Sequence, residues 1–549
     1  MRRLKKQNAI TLVALVITII ILLILAGISI SALTNTGIFQ KAKDAKGKSE
    51  KASKKEKSLL YEYEDELSKY SSNDRWDGKV NKPELMTGMT AIKFTEPTVS
   101  TVGTYSDTTR DDDKWYDYSS QMWANARTED GSMWVWIPRY AYKIIYKDVN
   151  NKGQGGTIDV VFLVGTTDNY YDKDGKLQTA KRQTSDTDVP DATKDYVVHP
   201  SFVNGTKYNY KNGEWDKEIT GYWVAKFPAG YQKNTITNNN GTLSTEISNG
   251  SDEIEYSGKN YNDYHSDITT NALSQNLSTK PKMSYPVFKP LTYAYNNISS
   301  GDAYTLSQEI KNGSSFYGLN AQSTDSHQMK NSEWGAIAYL SQSSYGRNEE
   351  KINLNNYFNT DANLWKTAVT GMCMDGTKDA AATHTLENAY NTVIGVKGSN
   401  TANMTGIYDL NGCVWERTAA YISNGYFNLE SYGSSYANTT KNEDGYKTLS
   451  TKYATVYPWN LTSDRDDNNY IVYKNFKYGY GDSILETSSS GTGTSGWNTY
   501  YSYFPSANKP FFRRGGGYSH SSNAGVFAFD GSDGYPWYNT GFRSVLVSQ

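Results

Sequence analysis

The stretch Ile10 to Phe39 contains no charged side chain, and Ile10 to Leu33 is almost continuously aliphatic. At about 1.5 Å of rise per residue, roughly 20 helical residues cross a bilayer core, so this segment is long enough to span one. The expectation is a transmembrane helix over residues 10–39, in a single-pass protein of the cell membrane. Arg2, Arg3, Lys5 and Lys6 precede it, which holds the N-terminus in the cytoplasm and places the C-terminal domain outside the cell. A cleaved secretory signal fits less well, because the apolar region is too long and no small-x-small pattern closes it. Beyond it, Lys41 to Lys57 is rich in Lys and Ala, and Leu59, Tyr63, Leu67 and Tyr70 recur at helical spacing, which predicts a helical stalk over 40–72.

Charge separates this start from the rest of the 549-residue chain. Residues 1–70 carry a net +6 and the remainder a net −8, for a formal total of −2. A body of that sign argues against a nucleic-acid partner. With 46 Tyr and 13 Trp the chain has ample apolar surface to build a core.

The segment Lys5-Lys6-Gln7-Asn8-Ala9-Ile10-Thr11-Leu12-Val13-Ala14 resembles the N-terminus of type IV prepilins and pseudopilins of Gram-positive bacteria. The resemblance implies a leader over 1–9, cut by a prepilin peptidase between Ala9 and Ile10. Ala9 stands where the family has Gly, and Ala14 where it has Glu. The family's Glu neutralises a neighbouring subunit's terminal amine, so its replacement implies a minor pilin or a pilin-like anchor, with other pilin subunits as possible partners.

After Asn73 the pattern changes. Short runs of Tyr, Trp, Val, Ile and Thr alternate with turn clusters, with linker and peripheral strands over 73–130 and the main domain over 131–549. Trp134 to Ile145 reads as a strand pair or one bent strand, and Gly221 to Phe227 and Val526 to Phe529 as further strands. Asp174-Gly175 and Asn212-Gly213 have the composition of type I′ hairpin turns. A helix is predicted over Trp334 to Leu340, capped by Ser332. Asn238 to Asn276 and Leu485 to Asn498 read as long polar loops.

Three segments carry a second resemblance. Ser332 to Leu340, Gly406-Ile407-Tyr408-Asp409-Leu410-Asn411-Gly412-Cys413-Val414-Trp415-Glu416, and Arg513-Arg514-Gly515-Gly516-Gly517-Tyr518 followed by Gly541-Phe542-Arg543 are similar, in order, to signatures of the formylglycine-generating-enzyme-like superfamily. That resemblance implies a C-type-lectin-like fold. The fold class expected is therefore α+β: a long N-terminal transmembrane and stalk helix followed by a C-type-lectin-like domain with long loops. Asp409, Asn411, Gly412, Trp415, Glu416, Arg514, Gly515, Gly516, Phe542 and Arg543 take structural roles in this reading, with Glu416 and Arg543 as ion-pair or backbone-bonding partners.

Catalysis is not expected. The superfamily's founding activity uses paired copper-binding cysteines between the last two signatures, and Tyr518 to Thr540 contains no Cys. Cys373 and Cys413 are the only cysteines, and whether they bond is open. The five His residues show no metal-ligand spacing, and Asp464 to Asn468 lacks the Gly and Glu that an EF-hand loop needs. Neither a metal nor a cofactor is expected.

Ligand contacts are expected between the C-terminal signatures, at Tyr518, His520, Ser521, Asp530, Ser532, Asp533, Tyr535, Trp537 and Tyr538. Tyr and Trp supply contact area at low entropic cost, and the Ser and Asn residues of this stretch adapt their hydrogen bonds. The resemblance extends to targets of diversity-generating retroelements, whose randomised codons yield this alphabet apart from Trp537. The function expected is adhesion or recognition: a membrane-anchored pilin-like protein binding an unknown extracellular protein or glycan. The alternatives are a filament-decorating minor pilin and a divergent formylglycine-generating enzyme.

Overall fold

β-branched and aromatic residues dominate the body, and they build sheets. The computed structural model describes residues 80–549 apart from 185–187, 206–214, 231–234, 237–242, 245–284, 291–293, 297, 356–373, 376–377, 380–388, 440–451, 459–465, 477–479, 519 and 538. The chain divides into two units, Met1–Asp74 and Arg75–Gln549, and the described residues belong to the second.

The principal strands of the first half are β1 Thr90–Thr95, β2 Thr104–Asp107, β3 Asn125–Arg127, β4 Met133–Pro138, β5 Tyr140–Tyr146, β6 Gly156–Phe162, β7 Asn169–Tyr171, β8 Leu177–Thr179, β9 Val197–Val198 and β10 Gly221–Ala225. Helices α1 Ser300–Glu309 and α2 Ser314–Tyr317, strand β11 Thr324–Gln328 and helix α3 Asn331–Ser341 follow. Then come β12 Trp415–Ser423, α4 Phe427–Gly433, β13 Thr455–Pro458, α5 Asp466–Phe476, β14 Phe511–Gly515, β15 Gly525–Ser532, β16 Thr540–Phe542 and β17 Ser544–Ser548.

The largest sheet has seven strands in the order β11-β17-β10-β4-β3-β1-β2, and every neighbouring pair is antiparallel. Every residue of β4 and β10 is buried. Their sequences, Met-Trp-Val-Trp-Ile-Pro and Gly-Tyr-Trp-Val-Ala, show no polar alternation because both sheet faces are covered. Thr90 to Arg127 supplies three strands of this same sheet. A second sheet runs β13-β12-β14-β15, with β16 also beside β12. The run Trp134 to Ile145 is a broken pair: β4 stays in the large sheet, while β5 joins β6 and β9 in a third. The break falls at Pro138-Arg139, where proline cannot donate to a continuing ladder.

Helix α3 is buried at all eleven positions. Its first turn is closed by Glu333, whose carboxylate accepts the Lys330 N–H at 2.9 Å, so Ser332 lies inside the helix and is not its cap. Trp334 Nε1 donates to Val526 O at 2.6 Å, tying α3 to β15. At Gly335 an added Cβ would lie 1.8 Å from Gly481 O, so only glycine permits this approach.

Two expectations are corrected. The described residues are not the α+β mixture expected but mostly β-sheet with a few short helices. The longest described helices, α3 and α5, have 11 residues each. At about 1.5 Å per residue they reach roughly half of a ~30 Å bilayer core. Among the described residues no helix is long and apolar enough to cross a membrane, which conflicts with the single-pass membrane placement. The leader with Ala9 and Ile10, the segment 10–39 and the stalk 40–72 lie outside the described residues. A smaller correction concerns Asp174-Gly175. Strands β7 and β8 do form a hairpin, but within its 172–176 loop only Gly175 has positive φ. A type I′ turn needs two such residues. Instead Asp172 closes the loop, its carboxylate accepting the Lys176 N–H at 2.9 Å. Asn212-Gly213 lies outside the described residues.

Candidate ligand-recognition site

The register of the second sheet sorts its charged residues onto two faces. Glu416 pairs with Arg514, Arg417 with Arg513, Arg513 with Asp530, and Phe511 with Ser532. Cross-strand partners share a face and successive residues alternate. Trp415, Arg417, Arg513, Asp530 and Ser532 therefore lie on one side, and Glu416 and Arg514 on the other.

The second side is sealed. Arg543 donates to both Glu416 oxygens at 2.9 and 2.7 Å and to Ala225 O and Tyr408 O at 2.8 Å each. Burial raises the Glu416 pKa, and the Arg543 charge opposes that rise. Arg514 donates to Ala528 O, Asp482 O and both oxygens of Ser483 at 2.7 to 3.2 Å, and burial pushes its pKa down to about 10. Asp409, Gly412 and Cys413 adopt positive φ in the turn before β12. Asp409 accepts from Asn355 Nδ2 at 2.8 Å, and Asn411 Nδ2 donates to Ile352 O at 3.1 Å. Cys413 is disulfide-bonded; the chain's other cysteine, Cys373, lies outside the described residues. Gly515, Gly516 and Phe542 are buried.

The first side carries a loop. Arg417 is buried, and its guanidinium gathers four oxygens: Ile298 O at 3.1 Å, Ser300 Oγ at 3.0 Å, Ser532 Oγ at 3.2 Å, and Tyr535 O. Burial, then the nearby Arg513, lowers the Arg417 pKa to about 10. Ser300 N–H donates to Gly534 O at 3.2 Å, and Tyr535 N–H to Asp533 Oδ1 at 3.0 Å. Gly534, at φ 85°, lets the turn press on Phe511, whose ring would lie 2.5 Å from an added Cβ. The backbone of 532–535 is thus held at both ends, while the Tyr535 ring and, two residues on, the Trp537 ring face outward. Tyr535 is 46% exposed and Trp537 44%. Their rings are 5.6 Å apart at 65°, and Tyr432 of α4 meets Tyr535 edge-on at 5.4 Å. Behind this ledge, Arg513 Nε donates to Asp530 Oδ2 at 2.8 Å, and its guanidinium lies 4.8 Å from the Trp415 ring centre.

The nine expected contact residues do not form one surface. Asp533, Tyr535 and Trp537 lie on the loop, with Ser532, the last residue of β15, buried beneath it and Asp530 buried beside it. Tyr518 is fully buried against Ala294, Cys413 and Val414. His520 is half-buried against Trp415 and Tyr501, with ring centres 5.1 and 5.8 Å away. Ser521 opens a short 3₁₀ turn over Ser521–Asn523, and Tyr538 lies outside the described residues. Sequence reasoning missed Arg417, Arg513 and Tyr432. Period-2 alternation along Trp415-Glu416-Arg417 and Arg513-Arg514 carries the signal for both arginines; Tyr432 arrives through tertiary packing and has no local signal.

Among the described residues, no group of three His, Cys, Asp or Glu side chains is placed to hold a metal ion. No family model matches the chain, and no curated protein matches it.

Proposed function

We propose that the β-rich body is a recognition module that binds a protein or glycan ligand without chemical turnover. One observation carries this reading: Tyr535 and Trp537 are nearly half exposed, and buried Arg417 and Ser300 hold the backbone at Tyr535 and Gly534 in place. Large aromatics left in water on a fixed loop add contact area without the ordering cost of a mobile one. Asp533, half-buried at the edge, adds a carboxylate beside the rings. The ordered motifs from Ser332 to Arg543, which resemble those of the formylglycine-generating-enzyme-like superfamily, support the same reading, since the stretch between the last two lacks the superfamily's cysteines.

The test is a glycan and protein array probed with the full chain. A ligand found there should bind at least tenfold more weakly to a Tyr535→Ala, Trp537→Ala double variant, since truncating a central aromatic anchor costs about 2 kcal/mol. Unchanged affinity in a folded variant overturns the proposed site.

A further inference from the structure

Lys226 follows β10 and is fully buried, and Asn125, which opens β3, is 1% exposed. Lys226 Nζ donates to Asn125 Oδ1 at 2.9 Å and to Gly406 O at 2.7 Å. The rings of Phe94 and Tyr408 cover the amine, their centres 4.8 and 5.4 Å from Nζ. Asn125 is itself fixed, its Nδ2 donating to Trp123 O at 3.0 Å and Thr405 O at 2.7 Å. Nucleophile and carboxamide are therefore held against each other in a dry, aromatic-walled site, the arrangement in which proximity lowers a barrier most.

We propose that Lys226 and Asn125 join, after the body has folded, in an intramolecular isopeptide bond. The lone pair of Nζ attacks Cγ of Asn125, the Nζ–Cγ bond forms, and the Cγ–Nδ2 bond breaks. A proton passes from Nζ to Nδ2, which leaves as ammonia. Nothing is oxidised or reduced, and no co-reactant is consumed. Burial supports the step by holding the lysine well below its ordinary range, which favours the neutral, nucleophilic form of the amine. A neutral amine has two hydrogens, which match the two oxygens it faces. Glu96, whose carboxylate accepts the Met404 N–H at 3.0 and 3.1 Å, acts on Lys226 through its field. That field favours the positive charge that develops on Nζ as the bond forms.

The sheet register explains what such a bond would do. Asn125 pairs with Val135 of β4, and Val135 with Val224 of β10; Lys226 lies two residues beyond Val224 on the same face. A bond between them would clamp β3 to β10 across β4 and close a loop between positions 101 apart in sequence. This inference is independent of the recognition site.

The test is a tryptic digest of the full-length protein, purified folded and then denatured. Cleavage after Lys114, Arg127, Lys217 and Lys233 should release a branched peptide joining residues 115–127 to 218–233, uncut at Lys226. Its mass should be one ammonia below the sum of the two linear peptides. The Lys226→Arg variant should lack it. Recovery of the linear 115–127 peptide with intact Asn125 in full yield from the unaltered protein overturns the proposal, and that result stands even if the variant fails to fold.

Discussion

On one face of the second sheet, Arg514 is fully buried and donates four hydrogen bonds to fixed oxygens of its own chain. One residue earlier, Arg513 points to the opposite face, pairs with Asp530 and lies against Trp415 at the edge of a half-exposed aromatic ledge. The contrast repeats on β12, where Glu416 is sealed by Arg543 while Arg417 holds the loop that displays Tyr535. A single strand thus supplies both a closed anchor and the support of an open surface. The lesson is that charge type does not separate structural from exposed roles; strand phase does.

The largest effect that can break this comparison is expected on the sealed side. Arg543→Met leaves Glu416 buried without its cation and Ala225 O and Tyr408 O without their donor, so it should cost about 3–5 kcal/mol. Urea unfolding reads this directly, and a cost below about 1 kcal/mol would show that the pair is dispensable. Adding Glu416→Gln to Arg543→Met should recover part of the loss, because it removes the orphaned charge.

Next in size is Gly335→Ala, which sets a methyl group against Gly481 O and should cost at least about 1–3 kcal/mol by overpacking. A thermal midpoint equal to that of the unaltered protein would contradict this contact.

A third buried charge cluster sharpens the comparison, because no arginine seals it. His327 Nε2 lies 2.9 Å from Glu333 Oε1 and its Nδ1 3.4 Å from Asp325 Oδ1. Burial opposes the ring's charge, yet Glu333 and Asp325 together raise the His327 pKa above its ordinary value. A raised folded-state pKa adds stability that is complete below the unfolded value of about 6.5 and is lost as pH rises through the folded value. The urea midpoint should therefore fall as pH rises above about 6.5, and His327→Gln should flatten that slope. An identical slope in the variant would place the titration elsewhere.

The smallest stability effect belongs to the open ledge. Tyr535→Ala and Trp537→Ala should each change the unfolding free energy by no more than about 0.5 kcal/mol, since each ring is nearly half in water. A loss above about 1 kcal/mol would make these rings part of the core and remove the reason to call the ledge a surface.

Much of the local structure was readable along the chain. The apolar runs at Gly221 to Phe227 and Val526 to Phe529 correspond to β10 and β15, and the run after Asn331 to α3. Boundaries and caps were harder: Ser332 resembles a cap by composition, but Glu333 reaches back to Lys330 instead. Of the site, Tyr535 and Trp537 were legible as aromatics among turn residues. Arg417 was not, because its four acceptors come from Ile298, Ser300, Ser532 and Tyr535, more than a hundred positions away. The burial of Tyr518 was equally hidden, since Tyr suits a core and a binding surface alike.

Sequence alone determined what depends on neighbours along the chain: which runs are apolar enough to become strands, where proline and glycine interrupt them, and that the body is aromatic and mildly acidic. Tertiary structure decided which arginine is sealed in the core and which supports the loop, which tyrosine is exposed and which lysine meets an asparagine. Those outcomes depend on register between strands up to about a hundred residues apart, and a one-residue slip in register moves every side chain to the other face.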